Sequence, residues 1–403
     1  MKKRGLIFGL VFCLLVSFCS CQKEIVNSSS NTSSEFVPKT PIYGTKYDDS
    51  EYYGYSQLSD NQKEFFDGLV ELYKLETPIG TNIKVSAVDV DERFVAYNLF
   101  SRTHQSLGFW ELQPPEYDNI VIDGESYSQK VFSTKRFRAK KNEKRYYDYM
   151  NKADEIISQM PDSLDEYEKC LYISKWICDN VYYDNYSNPY TFVPELADTD
   201  SHSGYGALIK GKAICTGYAE AFELLAKKLG FNCILISGDT INGYHCWNMV
   251  QIDGYWYHVD TTWMDTKKQG KYNYHYFMAD DVQMLPTHPI IEDNYDSRVY
   301  SFQIDPPVAD STALNWYRMN GLWFNTADEA LTFIKNLSYT SEKTKIRLDS
   351  KEEMQKVQET LQMSEEFKIM HDGEECQIVY TQKSLDEENP ANILTLEFIR
   401  SCE

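Results

Sequence analysis

Positive charge is scarce in this chain. Sixty-one acidic residues face 40 Lys and Arg, for a net charge of −21. A nucleic-acid backbone is held by clustered Lys and Arg, so the balance argues against nucleic acid as a partner. An electrostatic grip on anionic lipid is disfavoured for the same reason. No Cys-x-x-Cys pair occurs, which removes the usual mark of a structural zinc site. No calcium loop of the EF-hand type occurs either. The expectation is a protein without metal or cofactor. There is no internal repeat. The one strongly apolar run, Leu6 to Phe18, is too short to cross a bilayer comfortably. What remains is globular in composition, 42% hydrophobic with 31 Tyr, and 403 residues give a prior of two or three domains.

The start of the chain reads as a targeting segment. Lys2, Lys3 and Arg4 form a basic stretch before the apolar run. The sequence Phe18-Cys19-Ser20-Cys21-Gln22 that follows resembles a bacterial lipobox, with small Ser20 preceding the cysteine that would take lipid. It departs from the pattern at Phe18, where Leu is usual. Residues 1–20 are therefore expected to be a signal peptide and Cys21 a lipidation site. Gln22 behind it implies an outer-membrane lipoprotein if the cell is Gram-negative. Residues 21–50, rich in Ser, Asn and Thr around 27–35, read as a flexible tether.

Three folded stretches follow. Residues 51–140 form a small α+β module. A helix is expected over Ser59 to Leu75, capped by Ser59, with strand-like runs at Ile83–Val90, Phe94–Phe100, Ile120–Ile122 and Lys130–Phe132. Residues 141–300 form the central domain, with helices at 145–160 and from near Ser163, then a long polar loop from Tyr182 to Ser203. Residues 301–403 are a second small α/β module. Strands are expected near Trp323, Lys345–Leu348, Gln377–Tyr380 and Ile393–Ile399, with helices at 327–336 and Lys351–Leu361. Beyond the leader the cysteines are Cys170, Cys178, Cys215, Cys233, Cys246, Cys376 and Cys402, mostly in apolar runs where they read as small buried hydrophobes.

Cys215 is the exception. It stands where the turn Gly211-Lys212-Ala213-Ile214 enters a helix that runs to Leu229 and stops at Gly230. A helix N-terminus lowers a thiol pKa, as a nucleophile needs, and the Cys215 backbone N–H could serve an oxyanion. Downstream, Tyr244–Ile252 and Tyr255–Asp260 flank Asp253-Gly254, a strong two-residue hairpin signal. Pairing Ile252 with Tyr255 sets Trp247 opposite Asp260 and His245 opposite Thr262. His245 and Asp260 then share a face as diagonal neighbours, and a carboxylate there can fix the imidazole tautomer. A one-residue slip would destroy the pair. Candidate catalytic residues are thus Cys215, His245 and Asp260. Tyr205, Trp247 and Asn248 are candidates for the oxyanion site or cleft, with packing the plainer role for each. His258 is a competing base that fits a structural part better. His202 among Asp198, Asp200 and Ser203 reads as a solvated loop histidine, not a metal ligand.

Three blocks, Gly211-Lys212-Ala213-Ile214-Cys215-Thr216-Gly217-Tyr218-Ala219, His245-Cys246-Trp247-Asn248 and Tyr257-His258-Val259-Asp260-Thr261-Thr262-Trp263, resemble in order and spacing the motifs of the transglutaminase-like superfamily. The helix ending in Val181-Tyr182-Tyr183-Asp184 is similar to the segment before the cysteine in bacterial members. The resemblance spans roughly residues 145–290. It implies an α+β, papain-like core, a Cys-bearing helix packed on an antiparallel sheet, flanked by the two small α/β modules. It also implies Cys215 as nucleophile, His245 as general base and Asp260 as its orienting carboxylate. The reaction expected is hydrolysis of an amide bond through a thioester, in a peptide, protein or cell-wall-related substrate at the cell envelope. Two alternatives stay open: an amine as acyl acceptor, giving protein cross-linking, or a catalytically silent surface-binding lipoprotein.

Overall fold

The structure, a computed structural model, describes residues 52–73, 82–85, 95–96, 99–100, 103, 116–122, 125–133, 143–188, 198–290, 304–337, 343–363, 367–371, 374–381 and 392–400. The expected signal peptide, Cys21 and the expected tether lie outside the described residues, as do 189–197 of the long loop. Among the described residues no helix is long and apolar enough to cross a membrane. Contacts divide the chain into two units: 1–158 with 183–224 and 291–306, and 159–182 with 225–290 and 307–403.

In the first unit, helix α1 (Asp60–Tyr73) starts where its capping residues put it. The Gln62 N–H donates to Ser59 Oγ at 3.3 Å, and the Ser59 N–H donates to Gln62 Oε1 at 2.8 Å. Its buried face is Phe65, Phe66, Leu69 and Val70, a 3.6-residue stripe. Strands β1 (Asn82–Val85), β2 (Glu116–Ile122) and β3 (Glu125–Ser133) form an antiparallel sheet in the order β1-β3-β2. The strand expected over Phe94–Phe100 is not there: the described residues Val95, Ala96, Leu99, Phe100 and Thr103 are helical. The reason is period. Ala96, Leu99 and Phe100 are buried at i, i+3 and i+4, and Thr103 Oγ1 donates back to the Leu99 carbonyl at 2.8 Å. Phe100 packs edge-on against Phe66, ring centres 6.1 Å apart. Helix α2 (Glu143–Ser158) also belongs to this unit.

Helix α3 (Glu166–Asn180) begins three residues later than Ser163, because Asp165 and Glu168 form a reciprocal capping box. Its last residues lead into β4 (Tyr182–Tyr183), which pairs with β5 (Lys212–Ala213) ahead of α4 (Cys215–Lys228). The central sheet of the second unit follows: β6 (Asn232–Thr240), β7 (Gly243–Ile252) and β8 (Tyr255–Val259). The β7–β8 hairpin has the expected register, Ile252 with Tyr255 and Asn248 with Val259. Asp253 and Gly254 at its tip have φ of 52° and 83°, the double left-handed turn that matches strand twist. Asp260 leaves the ladder and caps the single turn α5 (Thr261–Met264). A small hairpin, β9 (Asp265–Lys268) with β10 (Lys271–Tyr272), precedes β11 (Phe277–Ala279), which completes a four-stranded antiparallel sheet in the order β11-β8-β7-β6. The turn α6 (Asp281–Met284) follows, capped by Asp280.

After α7 (Trp316–Met319), the C-terminal module consists of β12 (Trp323–Phe324), α8 (Ala327–Lys335), β13 (Thr344–Leu348), α9 (Lys351–Met363), β14 (Lys368–His371), β15 (Glu374–Thr381) and β16 (Ile393–Arg400). Its sheet runs β12-β13-β16-β15-β14, parallel only between β12 and β13. Ala330, Ile334, Ile346, Val357, Leu361, Ile378, Leu394 and Leu396 make its core. Strand β14 was not expected from the sequence. The usable signal was Asp372-Gly373, the two residues left between the paired His371 and Glu374. The chain is thus α+β, and the main sheet of residues 232–279 is antiparallel.

Candidate functional site

Cys215 is the first residue of α4 and is 6% exposed. It lies in the first unit, where a buried carboxylate organises the approach to it. The Asp184 N–H donates to the Ala213 carbonyl, continuing the β4–β5 pairing, and the Ile214 N–H donates to Ser201 O at 2.8 Å. The Asp184 carboxylate accepts from Ser187 Oγ at 2.6 Å and Ser201 Oγ at 2.7 Å, and meets Lys212 Nζ at 3.0 Å. Burial alone would raise its pKa, but these donors outweigh burial and hold it down to about 2. The two glycines of the turn have separate reasons. Gly211 takes a left-handed φ of 66° after a π-helical turn at Gly206–Lys210. A Cβ on Gly217 would lie 2.7 Å from the Ser203 carbonyl oxygen, so only glycine lets α4 approach that strand of backbone.

Asp184 was not singled out as functional from the sequence, where it appeared only at the end of a motif-like segment. Its depressed pKa has a direct consequence. The group stabilises the fold above its unfolded pKa near 4, and that stabilisation is lost as pH falls through about 2. Asp184→Asn is expected to cost roughly 2 kcal/mol at neutral pH. Unfolding midpoints measured from pH 6 to pH 2 should converge for variant and wild type at the acid end; a gap independent of pH would contradict the assignment.

The second unit holds His245 and Asp260 in contact. His245 Nε2 lies 2.8 Å from Asp260 Oδ2, and both side chains are buried. The carboxylate can only accept, so the proton sits on Nε2 and the lone pair on Nδ1. Asp260 is occupied by four donors. Oδ1 accepts the Thr262 N–H at 2.9 Å and the Trp263 N–H at 3.2 Å, while Oδ2 accepts from His245 and, at 3.1 Å, from His288 Nε2. Burial opposes ionisation, but the two imidazoles outweigh it and keep the carboxyl well below its usual range. One oxygen therefore caps α5 while the other holds the His245 ring.

His245 sits among aromatic rings. Trp247 stacks on it at 6.1 Å, and Trp263 and His288 lie 5.6 and 5.4 Å away. The indole N–H of Trp247 donates to His258 Nδ1 at 3.0 Å, so it is committed inside the protein. His258 Nε2 in turn lies 2.8 Å from Asp281 Oδ1. Both nitrogens of His258 are engaged, which makes it a structural link between β7 and the turn α6 and leaves no nitrogen for base chemistry. Asn248 is fully buried and points its amide at the Ile234 carbonyl, 3.4 Å away, on the opposite face of β7 from His245. Tyr205 lies in the first unit with the Arg145 guanidinium 4.2 Å from its ring centre. Beside His202, Asp198 and Asp200 pair with Lys210, each at 2.7 Å, and Asp200 also pairs with Arg145.

His288 was not anticipated. It arrives because Gly238 of β6 has no side chain: a Cβ there would lie 2.3 Å from the Pro289 carbonyl oxygen. That carbonyl instead accepts the Asp239 N–H at 3.1 Å, and Gly238 bridges Ile290. His288 is thereby laid over Asp260. Ligand atoms of His245, Asp260 and His288 lie within 4.8 Å of one another. Hydrogen bonds already account for these contacts, since both Nε2–H groups donate to the carboxylate, and we assign no metal there.

Residues 152–261 match the transglutaminase-like superfamily. Kyphoscoliosis peptidase of Homo sapiens is 27% identical over 176 residues, 38% of this chain and 24% of the relative; the Mus musculus protein matches to the same extent. The chain therefore spans about a quarter of the length of these curated relatives. Among solved structures, a TGase is similar with 16% identity and a TM-score of 0.27, over 45% of this chain and 51% of that one. A candidate cysteine protease of Cytophaga hutchinsonii has 13% identity and a TM-score of 0.23, over 37% and 62%.

Proposed function

Because residues 152–261 belong to the transglutaminase-like superfamily, we propose that the chain is a thiol enzyme acting on amide bonds through a Cys215 thioester. The observation that carries this reading is the buried His245–Asp260 hydrogen bond, which leaves His245 Nδ1 as the basic nitrogen. In the proposed cycle His245 takes the thiol proton. The Cys215 sulfur attacks the amide carbonyl carbon, and the C–N bond breaks as His245 returns the proton to the leaving amine. Water then adds to the thioester, with His245 as base, and releases a carboxylic acid and the thiol. Hydrolysis is favoured over amine transfer, in keeping with curated relatives that carry the name peptidase. The substrate class proposed is a peptide, protein or cell-wall-related amide, with the enzyme exported and held at the envelope by lipid on Cys21 and no nucleic acid involved.

The test is incubation of the full-length mature protein with a Gln-containing peptide set, with and without a primary amine, followed by mass spectrometry. Cleaved or deamidated peptide in both conditions supports a hydrolase. Amine adducts as the main product would overturn hydrolysis in favour of cross-linking. No thioester and no product with any peptide would favour a binding module.

A further inference from the structure

The unusual feature of the site is that two imidazoles share one carboxylate oxygen. Asp260 Oδ2 accepts from His245 at 2.8 Å and from His288 at 3.1 Å. His288 is fully buried and held from both ends. Its Nδ1 lies 2.8 Å from Thr287 Oγ1, and its backbone N–H donates to Met284 O at 3.0 Å. Since Nε2 carries the proton that Asp260 accepts, the neutral ring has its lone pair on Nδ1, beside the Thr287 hydroxyl, which also donates to Met284 O at 3.3 Å. Trp263 at 4.5 Å, Trp247 at 5.2 Å and Tyr276 at 5.4 Å close round the ring. The titratable groups facing it are Asp260, His245, His258 and Tyr276.

We infer that His288 is a positioning residue that sets the basicity of His245 by donating to the same oxygen of Asp260. A hydrogen bond to Oδ2 draws charge from that oxygen, so less is available to stabilise the His245 imidazolium. With Thr262 and Trp263 fixing Oδ1, the carboxylate has no freedom to turn either oxygen away. His288 thus does two things through Asp260. It locks the carboxylate in the plane that serves His245, and it keeps His245 from becoming too strong a base. The burial that lowers the pKa of His288 keeps its ring neutral at neutral pH, so it donates without adding a second positive charge.

This role presupposes that His245 is the base of the proposed thiol enzyme, and the test separates the two. Histidine-labelled full-length protein is titrated by NMR, with His245 assigned through His245→Gln. His288→Leu is expected to raise the His245 pKa by at least about 0.5 units as Asp260 regains its full charge. His288→Gln restores an N–H donor and should recover more than half of the shift. Thr287→Val leaves His288 in place but removes the hydroxyl beside its Nδ1, and should move His245 in the same direction by less; it serves if the Leu variant does not fold. Equal shifts in Leu and Gln variants, or none in any variant, would overturn the inference. Iodoacetamide labelling of Cys215 is run on the same samples. An inert Cys215 in wild type, with the His245 shifts still seen, would sink the thiol-enzyme reading and leave the coupling of the two histidines standing.

Discussion

On the mechanism proposed above, His245→Ala is expected to remove low-pH reactivity at Cys215 and to lower turnover of an amide substrate by a factor of the order of 10² to 10⁴. On the same proposal the wild-type thiol, which stands at a helix N-terminus, should be alkylated by iodoacetamide at a rate that changes little from about pH 8 down to about pH 6. In the variant the rate should fall about tenfold per pH unit below the ordinary thiol pKa near 8.5. Asp260→Asn should approach the same loss by another route. An amide N–H facing His245 Nε2–H is a donor against a donor, so the ring turns to the tautomer with its proton on Nδ1 and no longer presents a lone pair as base. The measurement is the pH profile of labelling at Cys215 by peptide mapping, with Cys215→Ala as the blank. A profile unchanged by His245→Ala would remove His245 from the mechanism while leaving the fold intact.

The largest effect on stability is expected at Asp280. This buried residue caps α6 through the Gln283 N–H, accepts from Asn315 at 3.2 Å, and meets the buried Arg347 guanidinium of β13 at 2.5 Å. Arg347 also donates to Gln283 Oε1 at 2.7 Å and stacks on Trp323 at 3.9 Å. Asp280→Ala leaves a guanidinium buried without its charge partner and removes a helix cap. Breaking a buried pair from one side costs about 3–5 kcal/mol. The mechanism predicts a further sign: the double variant Asp280→Ala/Arg347→Met should lose less than the single, because no charge is stranded. Urea unfolding of the wild type, the two single variants and the double variant decides it. Additive losses would mean that the pair contributes nothing as a pair.

The contrast between these two sites follows how each is encoded. The catalytic candidates were legible because their geometry is local or periodic. Asp253-Gly254 sets the hairpin register, register sets which residues share a face, and His245 and Asp260 follow from counting. Cys215 follows from a glycine-flanked turn into an apolar stripe. The same counting failed at Phe94–Phe100, where an apolar run without clean alternation read as strand, although Ala96, Leu99, Phe100 and Thr103 carry the helical period. It also missed β14, whose only punctuation is one Asp-Gly pair.

The sequence by itself determined the α+β class, the order of the motif blocks, the hairpin that unites His245 with Asp260, and the turn that starts the Cys215 helix. These depend on neighbours a few residues apart, where steric rules and side-chain period act directly. Only the tertiary structure decided the rest: that Asp184 braces the turn before Cys215, that Asp260 serves two imidazoles and a helix cap at once, that His258 is spent on Trp247 and Asp281, and that Arg347 reaches Asp280. Each joins segments tens of residues apart through buried polar groups. A buried carboxylate must find its donors wherever the packed chain happens to bring them, and no local period records which ones those are.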